Sequence, residues 1–94
     1  VMVRKRSKLE IYLDILRTIR KGVNKPTRIM YRTNLSWIPL QKIIESMISQ
    51  DLIRKIEINK RKKFTITEKG KNVLRYFEEM MGLIKIEYET AETH

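Results

Sequence analysis

From residue 7 onward the apolar positions recur first with a helical period, then alternate, then return to a helical period. Leu9, Tyr12, Leu13, Leu16 and Ile19 share one stripe, widened by Ile11 and Ile15, and predict a helix over residues 8–21. Its start is marked by Ser7-Lys8-Leu9-Glu10, a capping box in which hydroxyl and carboxylate satisfy backbone N–H groups that the first turn leaves unpaired. Its end is marked by Gly22 after Lys21. In the connector Asn24-Lys25-Pro26-Thr27, Pro26 is suited to open a second helix, which has a short apolar face at Ile29 and Met30 and ends near Arg32. Thr33-Asn34-Leu35 reads as a tight turn. Ser36 then reads as the N-cap of a third helix running to about residue 50, with Leu40, Ile43, Ile44 and Met47 inward. Pro39 is compatible with that helix, because at the third helical position its missing N–H would have had no internal partner.

Near residue 53 the period shortens to two. Ile53, Lys55 and Glu57 alternate with Arg54, Ile56 and Ile58, and residues 64–67 are rich in β-branched and aromatic side chains, so two strands are expected to flank a tip at residues 59–62. Thr67 is placed to cap a fourth helix, along which Val73, Phe77, Met80 and Ile84 fall at spacings of four, three and four, the spacing of a coiled-coil seam. Gly82 is expected to interrupt this helix. The seam fits a homodimer interface and closure of the domain's own core equally well. The chain is thus expected to be α+β and mainly helical. It divides into a basic arm at residues 1–6, a domain at 7–78, and the end of the last helix with an acidic, polar tail at 79–94.

Charge sharpens this picture. The 94 residues suffice for one domain, and 21 Lys and Arg face 11 Asp and Glu, which points to a polyanionic partner. Residues 1–76 carry 20 cations and 6 anions, whereas residues 77–94 carry 1 and 5, so the tail is not expected to meet phosphate. With no cysteine, disulfides and thiolate metal sites are excluded. No apolar run reaches the length of a membrane span and the N-terminal residues have no signal-peptide core, so a cytoplasmic location without membrane contact is expected. Fourteen isoleucines with abundant Lys and Glu fit a thermophile or a low-GC genome. Nothing resembles an active site: the one histidine is His94, and no phosphate-cradling glycine loop, metal-ligand spacing, cofactor motif or small-molecule site is evident. Glu78 and Glu79 are neighbours on a helix, point about 100° apart, and read as a solvated face rather than an acid–base pair.

The cations Lys60, Arg61, Lys62 and Lys63 are consecutive at the expected hairpin tip, where they suit phosphate neutralisation, together with Arg28, Arg32 and the arm residues Arg4, Lys5 and Arg6. Arg61 also suits a narrow minor groove. On the outer face of the third helix lie Ser36, Ile38, Gln41, Lys42 and Glu45. Gln41 has the geometry to pair with adenine, Lys42 to reach guanine or a phosphate, and Glu45 to accept from cytosine or pair with Lys42. Trp37 is expected to pack against the first or second helix.

Three segments resemble winged helix-turn-helix proteins. Ser46-Met47-Ile48-Ser49-Gln50-Asp51-Leu52-Ile53 is similar to the end of a recognition helix running into a wing strand, and Phe64-Thr65-Ile66-Thr67-Glu68-Lys69-Gly70 to the aromatic-x-Leu-Thr-x-x-Gly signature, with Ile66 in place of Leu. Ser7-Lys8-Leu9-Glu10-Ile11, with Thr27-Arg28-Ile29-Met30-Tyr31 and Asn34-Leu35-Ser36, resembles the small archaeal winged-helix proteins of about ten kilodaltons. The resemblance implies binding of double-stranded DNA, by a transcriptional regulator or a chromatin-type architectural protein, often as a homodimer through the C-terminal helix. It also implies a place for Thr27, Arg28 and Tyr31 beside the DNA backbone, although Tyr31 fits a core position equally well. The alternatives are a protein-docking winged helix, which has no need of so many cations, and an RNA-binding protein, which would be expected to interleave exposed aromatics with the basic wing.

Overall fold

The computed structural model describes residues 6–84, in the order α1 (Lys8–Arg20), α2 (Pro26–Thr33), α3 (Trp37–Ser49), β1 (Ile53–Ile58), β2 (Arg61–Ile66) and α4 (Glu68–Leu83). Arg4 and Lys5 of the arm, and the tail beyond Ile84, lie outside the described residues. α1 opens on the expected capping box: Glu10 N donates to the Ser7 hydroxyl at 3.1 Å, and Ser7 N donates to the Glu10 carboxylate at 3.0 Å. Lys21 caps its C-terminus and Gly22 follows with φ +98°, a backbone state that glycine enters without a Cβ penalty. Leu13, Ile15, Leu16 and Ile19 are buried, while Leu9, first in the apolar stripe, is exposed.

α2 runs one residue past its expected end. Thr33 is its last residue and is buried, its hydroxyl donating to the Ile29 carbonyl at 2.7 Å. Asn34 stops the helix by entering the left-handed region at φ 57°, so the turn begins there and not at Thr33. Ser36 is the N-cap of α3, as expected, though its side chain makes no capping hydrogen bond, and Leu40, Ile44 and Met47 are buried beneath it.

The hairpin is tighter than expected. β1 and β2 pair antiparallel from Ile53 opposite Ile66 to Ile58 opposite Arg61, leaving only Asn59 and Lys60 in the turn. Both have positive φ, 52° and 64°, the primed geometry whose twist matches that of paired strands. Arg61, Lys62 and Lys63 are therefore strand residues, and only Lys60 of the four cations lies in the turn. At the hairpin base, Phe64 N donates to Asn24 O at 2.9 Å, which draws the α1–α2 connector alongside β2.

The Thr67 hydroxyl accepts from Gly70 N at 2.9 Å to cap α4 and lies 2.6 Å from Asp51 O, to which it donates. Gly70 is packed so closely that a Cβ would collide with the Leu52 carbonyl oxygen and come within 2.9 Å of Ile66 Cγ1. α4 does not break at Gly82; it continues through that residue to Leu83. With nothing within 4 Å of a Cβ there, Gly82 meets no packing conflict that would end the helix. Of the seam, Val73 and Phe77 are half-buried against the domain's own core, whereas Met80 and Ile84 are exposed. Leu74, between the seam positions, is fully buried. Arg20 donates to both oxygens of Glu78, at 3.0 and 3.1 Å, and Arg17 approaches Glu78 at 3.7 Å, so this carboxylate lies on a solvated face, as expected, and also joins α1 to α4. Among the described residues no helix is long and apolar enough to cross a membrane, and no group of His, Asp and Glu could hold a metal.

Candidate nucleic-acid interface

Helical spacing puts Thr27 with Tyr31, and Arg28 with Arg32, one turn apart on the outer side of α2. All four are exposed, Tyr31 at 79%, so Tyr31 belongs to the surface and not to the core. On α3, Ile38, Gln41, Lys42 and Glu45 recur at three- and four-residue spacing and are exposed, opposite the buried stripe of Leu40, Ile44 and Met47. Lys42 and Glu45 form no ion pair with each other, which leaves both side chains available.

The strand register sorts the hairpin cations between two faces. Directly paired residues point the same way, so Lys55, Phe64, Glu57 and Lys62 share one face while Ile56, Lys63, Ile58 and Arg61 share the other. Phe64 is buried, which identifies the first as the face turned toward the helices. There Lys55 and Lys62 meet Trp37, Gln41 and Glu45 of α3 across a cleft of about 160 Å³ floored by Leu40, Ile44 and Phe64. Trp37 is less packed away than expected: it stays 42% exposed and lines this cleft together with Pro26 at the start of α2. At the edge of β2 a second depression is lined by Lys25, Thr27, Lys60, Arg61, Lys62 and Lys63.

Lys25 and Lys55 were not among the residues expected here. Lys25 arrives through the Phe64–Asn24 backbone bond, a contact 40 residues apart with no local signature. Lys55 could have been found from a two-residue turn, which fixes it opposite Phe64. Arg6 moves the other way. Its guanidinium donates to Asp14 at 2.8 Å and to the Thr33 carbonyl at 2.6 Å, so it ties the start of the chain to α1 and α2 instead of extending toward a phosphate.

Charge pairing follows the same geography. Arg6, Arg17, Arg20, Arg54, Lys71 and Arg75 each pair with a carboxylate. Lys25, Arg28, Arg32, Lys42, Lys55 and the four cations at residues 60–63 have no such partner among the described residues. Lys8, Lys21 and Lys69 also have none, but most of the unpaired cations among the described residues lie on or beside α2, α3 and the hairpin, where Arg54 alone is paired.

The winged helix-turn-helix family matches residues 5–85. The chain belongs to that family. An uncharacterised protein of Methanocaldococcus jannaschii is 36% identical to this winged helix over 80 residues, spanning 85% of this chain and 78% of its own length. Among solved structures, Sso10a-2, a DNA-binding protein from Sulfolobus solfataricus, superposes with a TM-score of 0.74 at 28% identity, over 93% of this chain and 90% of its own. The transcriptional regulator BldR from the same organism shares the fold, with a TM-score of 0.62 at 18% identity over 88% of this chain and 68% of its own. In winged-helix terms α3 stands in the position of the recognition helix and β1–β2 is the wing.

Proposed function

We propose that this winged helix binds double-stranded DNA, with the outer face of α3 in the major groove and the wing and α2 on the flanking phosphates, and acts as a regulator or an architectural protein of the nucleoid. The observation that carries this reading is the distribution of charge: the arginines of α1 and α4 are paired with carboxylates, while the cations on or beside α2, α3 and the wing, Arg54 excepted, are left unpaired. A solvated cluster of like charges adds little to stability and gains strongly on meeting a polyanion. Gln41, Lys42, Glu45 and Ile38 are the base-facing candidates, with Ser36 at the helix start. Arg28, Arg32, Thr27, Tyr31, Lys25 and residues 60–63 take the backbone. This reading assigns the chain a binding function, without catalysis.

α4 and its C-cap leave Tyr76, Met80, Leu83 and Ile84 exposed, Leu83 at 86%, and this favours a homodimer through the end of that helix. Sso10a-2, similar over nearly the whole chain and DNA-binding by its description, supports the DNA reading.

The deciding experiment is a titration of random and genomic duplexes at several salt concentrations. About six phosphate contacts give a slope of log K against log salt near −5. Duplex binding with that slope is expected, and a few fragments bound far more tightly would identify a regulator. Absence of binding at low salt would sink the reading.

A further inference from the structure

Beneath polar residues already assigned to the duplex, the cleft between α3 and the wing has an apolar floor and an aromatic wall that contact with an intact duplex leaves unused. Its floor, Leu40, Ile44 and Phe64, is apolar and buried, and one wall is Trp37, the chain's single tryptophan. At its rim stand the Gln41 amide and the ammonium groups of Lys55 and Lys62, neither of which has a carboxylate partner among the described residues. An aromatic wall over an apolar floor, fringed by an amide and two free cations, complements a flat heterocycle with polar edges that is joined to phosphates. A volume of about 160 Å³ is well below the roughly 300–1,000 Å³ of sites that enclose drug-sized ligands and suits one ring system. In a duplex both faces of each base are covered by its neighbours, whereas an unpaired base has a π-face free to stack on an aromatic side chain.

We infer that this cleft takes an unpaired nucleobase of single-stranded DNA, stacked on Trp37, with Gln41 at its polar edge and Lys55 and Lys62 on the adjoining phosphates. The cations around the cleft favour a strand over a free aromatic acid. They continue from Lys62 through Lys60, Arg61 and Lys63 to Lys25, a track for successive phosphates rather than a site for one anion. Glu45, also on the rim, suits a base that offers an amino group, such as cytosine. The inference rests on the nucleic-acid reading of this face and adds to it a ligand that the duplex cannot supply.

The test uses Trp37 as its own reporter. The full chain is titrated at low salt with a single-stranded oligodeoxycytidine and with an abasic oligodeoxynucleotide of equal length and charge. The base-bearing strand is expected to quench Trp37 fluorescence and to bind about tenfold more tightly than the abasic one, the loss expected for one base–aromatic stack. Trp37→Leu is expected to remove that difference while leaving abasic binding unchanged. Equal binding of the two strands by the wild-type chain would overturn the inference without any variant having to fold, and so would a Trp37→Leu effect of the same size on both strands. Oligoribocytidine binding at least tenfold more tightly than its deoxy counterpart would overturn the assignment to DNA. Duplex titrations run in parallel separate the two readings: failure on duplex with retained base-dependent binding would sink only the duplex function, and the reverse would sink only this cleft.

Discussion

Arg6 and Lys25 show how little a residue's type reveals about its role. Both are cations just ahead of a helix, yet Arg6 is half-buried and held by Asp14 and the Thr33 carbonyl, while Lys25 stands exposed and free beside the wing. Their alanine variants should therefore separate cleanly. Lys25→Ala is expected to weaken duplex binding several-fold and to reduce the salt slope by about 0.9, with the melting temperature unchanged. Arg6→Ala is expected to lower the melting temperature and leave the slope unchanged. Gly70 is a third case. Its Cβ would strike the Leu52 carbonyl, an atom already accepting from Thr67 N at 3.1 Å and therefore unable to retreat easily. Gly70→Ala should destabilise the domain by about 2 kcal/mol or more, read from denaturant unfolding.

At the scale of the element, the wing combines strain with its proposed role in binding phosphate. Lys60 sits at φ 64°, a region that a residue with a Cβ enters at a cost, in a turn where glycine would be at ease. Lys60→Gly is accordingly expected to stabilise the chain by up to about 1 kcal/mol while weakening duplex binding, which would show that the turn is selected for charge rather than for fold. Unchanged affinity would remove Lys60 from the interface. The helices were the more legible elements. The capping box at Ser7 and Glu10, the Ser36 cap position and the Thr67 cap are local in sequence, and all three helix starts lie where those residues mark them. The tip of the wing was read too long because four consecutive cations resemble a loop by composition. The turn is set instead by two residues that accept positive φ. Gly82 was read as a break because glycine lowers helix propensity, but one unfavourable residue near the end of a 16-residue helix, already anchored by Leu74 and Phe77, is tolerated.

At the scale of the whole molecule, α1 and α4 are joined by Glu78 with Arg20 and Arg17. The hydrogen bond from Arg20 holds the Glu78 carboxyl below the usual carboxylate range and, in turn, raises the Arg20 guanidinium. A depressed carboxylate stabilises the fold above its unfolded value and loses that contribution as pH falls through the folded one. Thermal stability is thus expected to decline on acidification below about pH 5. Glu78→Gln should flatten this decline, with a small effect because the group is solvent-exposed. An identical acid profile in the variant would show that other carboxylates govern it. The charge geography is also a property of the whole molecule: the excess of cations before residue 77 is visible in the chain, but which of them are neutralised depends on contacts such as Arg20 with Glu78, 58 residues apart.

By itself, the order of residues determined the periodicities, the caps, the element order and the strongly basic body, because each of these arises from neighbours within a few positions. It also placed Gln41, Lys42, Glu45 and the wing cations on exposed sides of their elements. Only the tertiary structure decided what those elements face. The Phe64–Asn24 bond brings Lys25 to the wing, and the strand register turns Lys55 and Lys62 toward α3. Trp37, separated from those lysines along the chain, meets them across one cleft. In the sequence no exposed aromatic is interleaved with the cations of the basic wing. In the fold the wing has one beside it, because proximity through space is set by packing and register, not by distance along the chain.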